Sequence, residues 1–136
     1  MSVRIEVRYE GELRATATHG PSGASLETDA PKDNEGRGES FSPTDLLATA
    51  LGTCMLTVMG IYARRKGWEL KGAHVTVDKH MVADPVRRIG RLEVRFEMPA
   101  GIPPDARKPL ERAAHTCPVH QSLHPEVEVE TSFAWA

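Results

Sequence analysis

The sequence predicts a single α+β domain in which β-strands, gathered into antiparallel sheets, surround one long apolar helix. Three observations carry that expectation. Residues 42–66 form a helix signalled at both ends, residues 3–28 alternate apolar and polar side chains in three short runs, and residues 72–98 repeat that alternation twice more. Strands, helix and strands follow one another without an internal repeat, low-complexity segment or linker, so one domain over 1–136 is expected.

In the first run, Val3, Ile5, Val7 and Tyr9 alternate with Arg4, Glu6, Arg8 and Glu10, the period of a strand with one face buried and one wet. Gly11 permits a tight turn into a second strand carrying Leu13, Ala15 and Ala17. Residues 19–23 turn the chain again, and residues 24–28 give a third strand, completing a meander. Residues 29–41 hold Pro, Gly, Asn and charges without a period and read as a loop, long enough to be functional or mobile. Its Arg37, Glu35 and Glu39 become candidate site residues for that reason.

The helix opens with Ser42 as N-cap, Pro43 at the first helical position and Asp45 close behind. It closes on Arg64, Arg65 and Lys66 ahead of Gly67, where cations suit the negative end of the dipole. Between Leu46 and Ala63 there is no charge. A helix apolar all round is buried all round or lies in a membrane. Thr49, Gly52, Thr53, Thr57 and Gly60 dilute this run below the ~20 strongly apolar residues of a membrane span. Burial is therefore expected, with a sheet on one face and a second copy of the chain on the other, that is, a homodimer.

Downstream, Val75, Val77 and Lys79 mark one strand and Asp84-Pro85 a turn. Leu92, Val94, Phe96 and Met98 set against Arg91, Glu93, Arg95 and Glu97 mark the next, and the two pair as an antiparallel hairpin. Pro103-Pro104-Asp105 starts a second helix with Ala106, Leu110, Ala113 and Ala114 on its apolar side, ending near His115. Pro118 opens a further short helix capped by Thr116 or Cys117. Residues 126–135 close the chain as a strand with Val127, Val129, Thr131, Phe133 and Trp135 on one face.

Composition narrows the function classes. A formal charge of −2, a pI near 6.3 and 5% aromatic residues argue against nucleic acid or an anionic membrane as partner. The alternating start MSVRIEVRYEGE is unlike an export signal, so a cytoplasmic setting is expected. There, two cysteines are more often redox-active, metal-bound or core than a permanent cross-link.

Cys54 lies too far along its helix for the dipole to favour its thiolate, and its apolar neighbours Ala50, Leu51, Met55 and Val58 call for a cation from elsewhere if it is to react. Cys117, at a helix N-terminus before Pro118, is by local physics the more acidic thiol. Two other readings stand beside a reactive pair: both cysteines as plain structural residues, or a metal site from His115, Cys117, His120 and His124. His19, His74 and His80 are scattered over turns and strands.

Residues 43–54, P-T-D-L-L-A-T-A-L-G-T-C, resemble the N-P-E-x-L…C helix of the OsmC/Ohr superfamily, the osmotically inducible protein C and organic hydroperoxide resistance proteins. T-C-P-V-H at 116–120 is similar to that family's second motif, C-P-V/Y. The resemblance covers essentially the whole chain and points to an OsmC-like branch. It implies an OsmC-like fold, an intertwined homodimer, no cofactor, and reduction of organic hydroperoxides by a thiol. Cys54 would become a sulfenic acid, Cys117 would resolve it as a Cys54–Cys117 disulfide, and a dithiol reductant would reopen the bridge. The family's arginine, which activates the thiolate, falls to Arg37 ahead of Arg14. Its glutamate position is Thr44, so Glu39 or Asp45 is expected to anchor the arginine instead. The alternative is a non-catalytic or redox-sensing protein holding a small hydrophobic ligand in the dimer groove.

Overall fold

The computed structural model describes residues 1–136 and forms two compact units, Met1–Leu46 and Leu47–Ala136. In the first, strands β1 (Ile5–Gly11), β2 (Arg14–His19) and β3 (Ser25–Asp29) make the expected antiparallel meander in the order β1-β2-β3. The β1–β2 turn is centred on Glu12 and Leu13, both left-handed at φ 57° and 62°, and the Leu13 N–H donates to Tyr9 Oη at 3.2 Å. Left-handed backbone at both central positions is what a two-residue hairpin needs to match strand twist. The apolar face of β1 departs from expectation: Val7 and Tyr9 are each 67% exposed. The alternation gave the strand correctly but not its cover, because nothing in the chain lies over that face.

Residues 30–41 fold back on themselves rather than hanging free. A short 3₁₀ turn spans Lys32–Asn34, Gly36 N–H donates to Pro31 O at 2.9 Å, and Gly38 N–H to Ala30 O at 3.2 Å. Gly36 is required there, since a Cβ would fall 1.8 Å from Ala30 O.

Helix α1 (Pro43–Lys66) is capped as predicted. Ser42 Oγ accepts from Asp45 N–H at 3.1 Å while Asp45 Oδ2 accepts from Ser42 N–H at 2.9 Å, a reciprocal cap that satisfies two orphan donors. Its burial is one-sided, however. Ala48, Leu51, Gly52, Met55, Met59 and Ala63 are buried, whereas Leu47 and Ile61 are exposed. The uniform apolarity of the helix exceeds what one sheet can cover, and by length and composition alone it could cross a membrane.

In the second unit α1 packs on a sheet ordered β4-β5-β6, made of β4 (His74–Val82), β5 (Arg88–Met98) and β6 (Glu128–Trp135). Gly52 sets the approach: a Cβ there would lie 2.9 Å from Val77 Cγ2, so any larger residue would push the helix off β4. Leu92, Val94 and Phe96 of β5 join Leu51, Met55 and Met59 in the core, each fully buried side chain contributing about 1.5–3 kcal/mol.

The hairpin β4–β5 is antiparallel as expected, with Val77 opposite Val94 and Val75 opposite Phe96. The last strand corrects the expectation of purely antiparallel sheets: β6 runs parallel to β5, with Val129 beside Leu92 and Phe133 beside Phe96. Parallel neighbours need a crossover. Here it is supplied by a 3₁₀ turn at Pro104–Ala106, α2 (Arg107–Ala114) and α3 (Pro118–Ser122), which bury Ala106, Leu110, Ala113 and Ala114 against the core. Phe133 stacks on Phe96 at 4.5 Å between centroids, and Trp135 Nε1 donates to Glu111 Oε2 at 2.9 Å, tying the strand to α2.

Candidate functional site

Both cysteines lie in the second unit. Cys54 projects from the middle of α1 and is half-buried; Cys117, 0% exposed, is the N-cap of α3. The crossover brings the second back toward the first, close enough for the Cys54 thiol to act on the ionisation of Cys117, and both are free. Cys117 Sγ also accepts the His120 N–H at 3.2 Å, which fixes its rotamer toward the start of α3.

Cys117 is not the more acidic thiol that its capping position suggested. Burial pushes its pKa above the ordinary value and the neighbouring Cys54 thiol adds to the rise, outweighing the His120 N–H that pulls it down. A helix of five residues offers little dipole, while full desolvation acts on the whole charge. The folded pKa being raised, stability from the neutral buried thiol is fully present below the unfolded value, about 8.5, and is lost as pH climbs through the folded value. Between about pH 7 and about pH 10.5, Cys117→Ala should therefore lose less unfolding free energy than the wild type, measured by urea titration. An equal loss in both proteins would contradict the burial account.

The histidines near Cys117 do not gather round it as ligands. His115 bridges Glu111 O (Nδ1, 2.9 Å) and Thr131 Oγ1 (Nε2, 3.1 Å), His124 Nδ1 accepts from Glu126 N–H at 3.1 Å, and no three His, Cys, Asp or Glu side chains converge as a metal site would need. Helical spacing of His120 and His124 does not hold, because α3 ends at Ser122.

The arginines and acids singled out in the sequence lie in the first unit. Arg14, on β2, is held by two carboxylates: Glu39 Oε1 at 3.1 Å and Asp29 Oδ2 at 3.5 Å. Arg37 is 67% exposed and reaches only Glu39, at 3.9 Å. Glu39 thus pairs mainly with Arg14 rather than with Arg37. Asp45 sits in the helix cap, and Thr44 Oγ1 lies 3.2 Å from Ser42 Oγ.

Asp29 was missed. It is 1% exposed, accepts the Glu39 N–H at 3.0 Å through Oδ2, and leaves Oδ1 buried without a partner. A buried carboxylate is stable only when paired, so Asp29 and Arg14 fix each other. The signal was available: once β2 and β3 are paired, Arg14 stands directly opposite Asp29.

The sequence profile of the OsmC-like protein family matches residues 36–132. The chain belongs to that family. Among solved structures, the OsmC-like chain is 41% identical to a protein of Psychrobacter arcticus 273-4 assigned to the osmotic stress induced and detoxification response, with a TM-score of 0.91 over 96% of this chain and 94% of that one. It shares its fold with an organic hydroperoxide resistance protein OsmC of Legionella pneumophila (17% identity, TM-score 0.79, 98% and 97% covered). The OsmC-like chain also shares it with the organic hydroperoxide resistance protein OhrB of Bacillus subtilis (16%, 0.72, 98% and 98%). No protein of curated function matches it in sequence.

Proposed function

We propose that this OsmC-like protein is a thiol-dependent peroxidase reducing organic hydroperoxides, and the observation that carries the reading is the approach of the Cys54 and Cys117 thiols. Cys54 is half-buried and so open to a peroxide, while Cys117 is sealed and held neutral. That asymmetry suits a division of labour. The Cys54 thiolate attacks the outer oxygen of ROOH, the O–O bond breaks, and with one proton the alcohol ROH leaves Cys54 as a sulfenic acid. Cys117 sulfur then attacks Cys54 sulfur. The S–O bond breaks, the Cys117 proton leaves with the hydroxyl as water, and a Cys54–Cys117 disulfide remains. A dithiol reductant returns two electrons and two protons and becomes a cyclic disulfide.

Arg14 is the arginine we assign to thiolate activation, because two carboxylates hold it while Arg37 is largely free in solvent. Asp29 and Glu39 take over the anchoring that Thr44 cannot provide, a threonine having no charge to orient a guanidinium. The exposed apolar face of β1, with Leu47 and Ile61 on α1, supports a homodimer, and a cytoplasmic setting suits the reductant.

Reduced protein treated with one equivalent of cumene hydroperoxide should consume it and yield, on peptide mapping, Cys54 linked to Cys117. Peroxide left unconsumed and both thiols still alkylatable would leave a redox-silent protein that binds a hydrophobic ligand as the better account.

A further inference from the structure

Cys117 cannot attack Cys54 in its resting form. Its thiol is sealed and held neutral, whereas the nucleophile in disulfide chemistry is the thiolate, so a base must take its proton inside the core. On the α1 side no such base exists, since α1 carries no charged side chain between Leu46 and Ala63. On the side of the crossover and β6, the bases near Cys117 in sequence are His115, His120 and His124. His115 is fully engaged, Nδ1 with Glu111 O at 2.9 Å and Nε2 with Thr131 Oγ1 at 3.1 Å. His124 Nδ1 accepts the Glu126 N–H, and the Glu111 carboxylate accepts the Trp135 indole.

His120 is the exception. It stands three residues after the N-cap Cys117, where a side chain can reach back to the capping residue and complete a reciprocal cap. Half of that arrangement is made, because the His120 N–H donates to Cys117 Sγ at 3.2 Å. The other half is open: the Cys117 N–H already donates to Ala114 O at 3.4 Å, and His120 Nδ1 is buried without a hydrogen-bond partner. A buried ring nitrogen with no partner costs stability that an apolar side chain in its place would not. As the Nε2–H tautomer, the neutral ring offers Nδ1 as an acceptor. The nearest ring to it is His115, 6.2 Å away between centroids.

We infer that His120 is the base of the resolving step: its Nδ1 takes the proton of Cys117 Sγ as that sulfur attacks Cys54, and passes it to the departing hydroxyl. The S–S bond forms, the S–O bond breaks, water leaves, and the imidazole ends as neutral as it began. The inference rests on the peroxidase reading for its electrophile, the Cys54 sulfenic acid. The base itself serves Cys117 against any activated sulfur at position 54.

The test gives Cys54 a different leaving group, so that no hydroperoxide is needed. Dithiobis(nitrobenzoate) converts half-buried Cys54 into a mixed disulfide, and Cys117 then displaces the coloured nitrothiobenzoate as the Cys54–Cys117 bridge closes. Stopped-flow absorbance reads the rate of that second release. His120→Gln should slow it about a hundredfold at about pH 7, and the deficit should shrink to within about threefold at about pH 10, where hydroxide replaces the missing base. His115→Gln, whose ring nitrogens are already bonded, should stay within about twofold. If His120→Gln fails to fold, His120→Asn takes its place with the same expected loss. A variant as fast as the wild type overturns the inference, as does a deficit that is equal at all pH values, a larger pH-dependent loss at His115, or no second release in the wild type. With cumene hydroperoxide instead, His120→Gln should form the sulfenic acid at the wild-type rate and accumulate it for trapping by dimedone. Should no hydroperoxide be consumed, the peroxidase reading fails, while the mixed-disulfide measurement still decides for or against His120.

Discussion

Cys54→Ser should abolish hydroperoxide consumption, a fall of at least about a thousandfold, because a serine hydroxyl stays protonated at neutral pH and cannot attack an O–O bond. Cys117→Ser should behave differently. It keeps the attacking thiol but not the one that condenses with the sulfenic acid, so about one equivalent of peroxide is consumed rapidly and the oxidised Cys54 persists long enough to be trapped by dimedone. Stopped-flow consumption of cumene hydroperoxide and intact-mass measurement separate the two. If Cys54→Ser still turned over, the attacking group would lie elsewhere; if Cys117→Ser turned over like wild type with a dithiol, Cys117 would not be the resolving thiol. The structural ground is the pairing of a half-buried sulfur, open to peroxide, with one sealed in the core that joins α1 to the crossover.

The next largest effect is expected at Arg14. Arg14→Gln should reduce kcat/KM for hydroperoxide by about 10²–10³, the cost of losing one charged donor to a developing negative charge. Asp29→Asn should lower it about tenfold, since Arg14 would keep only the exposed Glu39 as a charged anchor. Arg37→Gln should stay within about twofold, as its one ion pair is long and solvated. The rate of Cys54 alkylation by iodoacetamide at neutral pH should follow the same ranking, a readout that a purely structural loss would not reproduce; thermal unfolding of each variant controls for stability. A larger loss at Arg37 than at Arg14 would reassign the activating arginine.

Much of this molecule could be read from the chain. The reciprocal cap at Ser42 and Asp45, the β4–β5 hairpin and Cys117 as the cap of a short helix all follow from local chemistry that needs no distant partner. What eluded the sequence depends on who sits opposite whom. Asp29 looked like the first residue of a loop until strand pairing set it against Arg14 and burial closed over it. The direction of β6 depends on how the crossover returns, which no periodicity records. The acidity of Cys117 was misjudged because a nearby helix end is visible in sequence and desolvation is not. The anchoring of Arg14 over Arg37 was likewise beyond reach, since Glu39 is close to Arg37 along the chain but nearer to Arg14 in space.

The parallel placement of β6 bears on how the protein is made. A nascent chain can assemble the β4–β5 hairpin while still attached to the ribosome, but Phe96 gains its stacked neighbour and Glu111 its indole only once β6 has emerged. Until then the aliphatic surface of β5 has no flank, a state in which polypeptides aggregate. A chain truncated before β6 would keep both sulfurs but lose the flank of β5 and the indole tie to α2, and cells should clear such fragments rather than accumulate them.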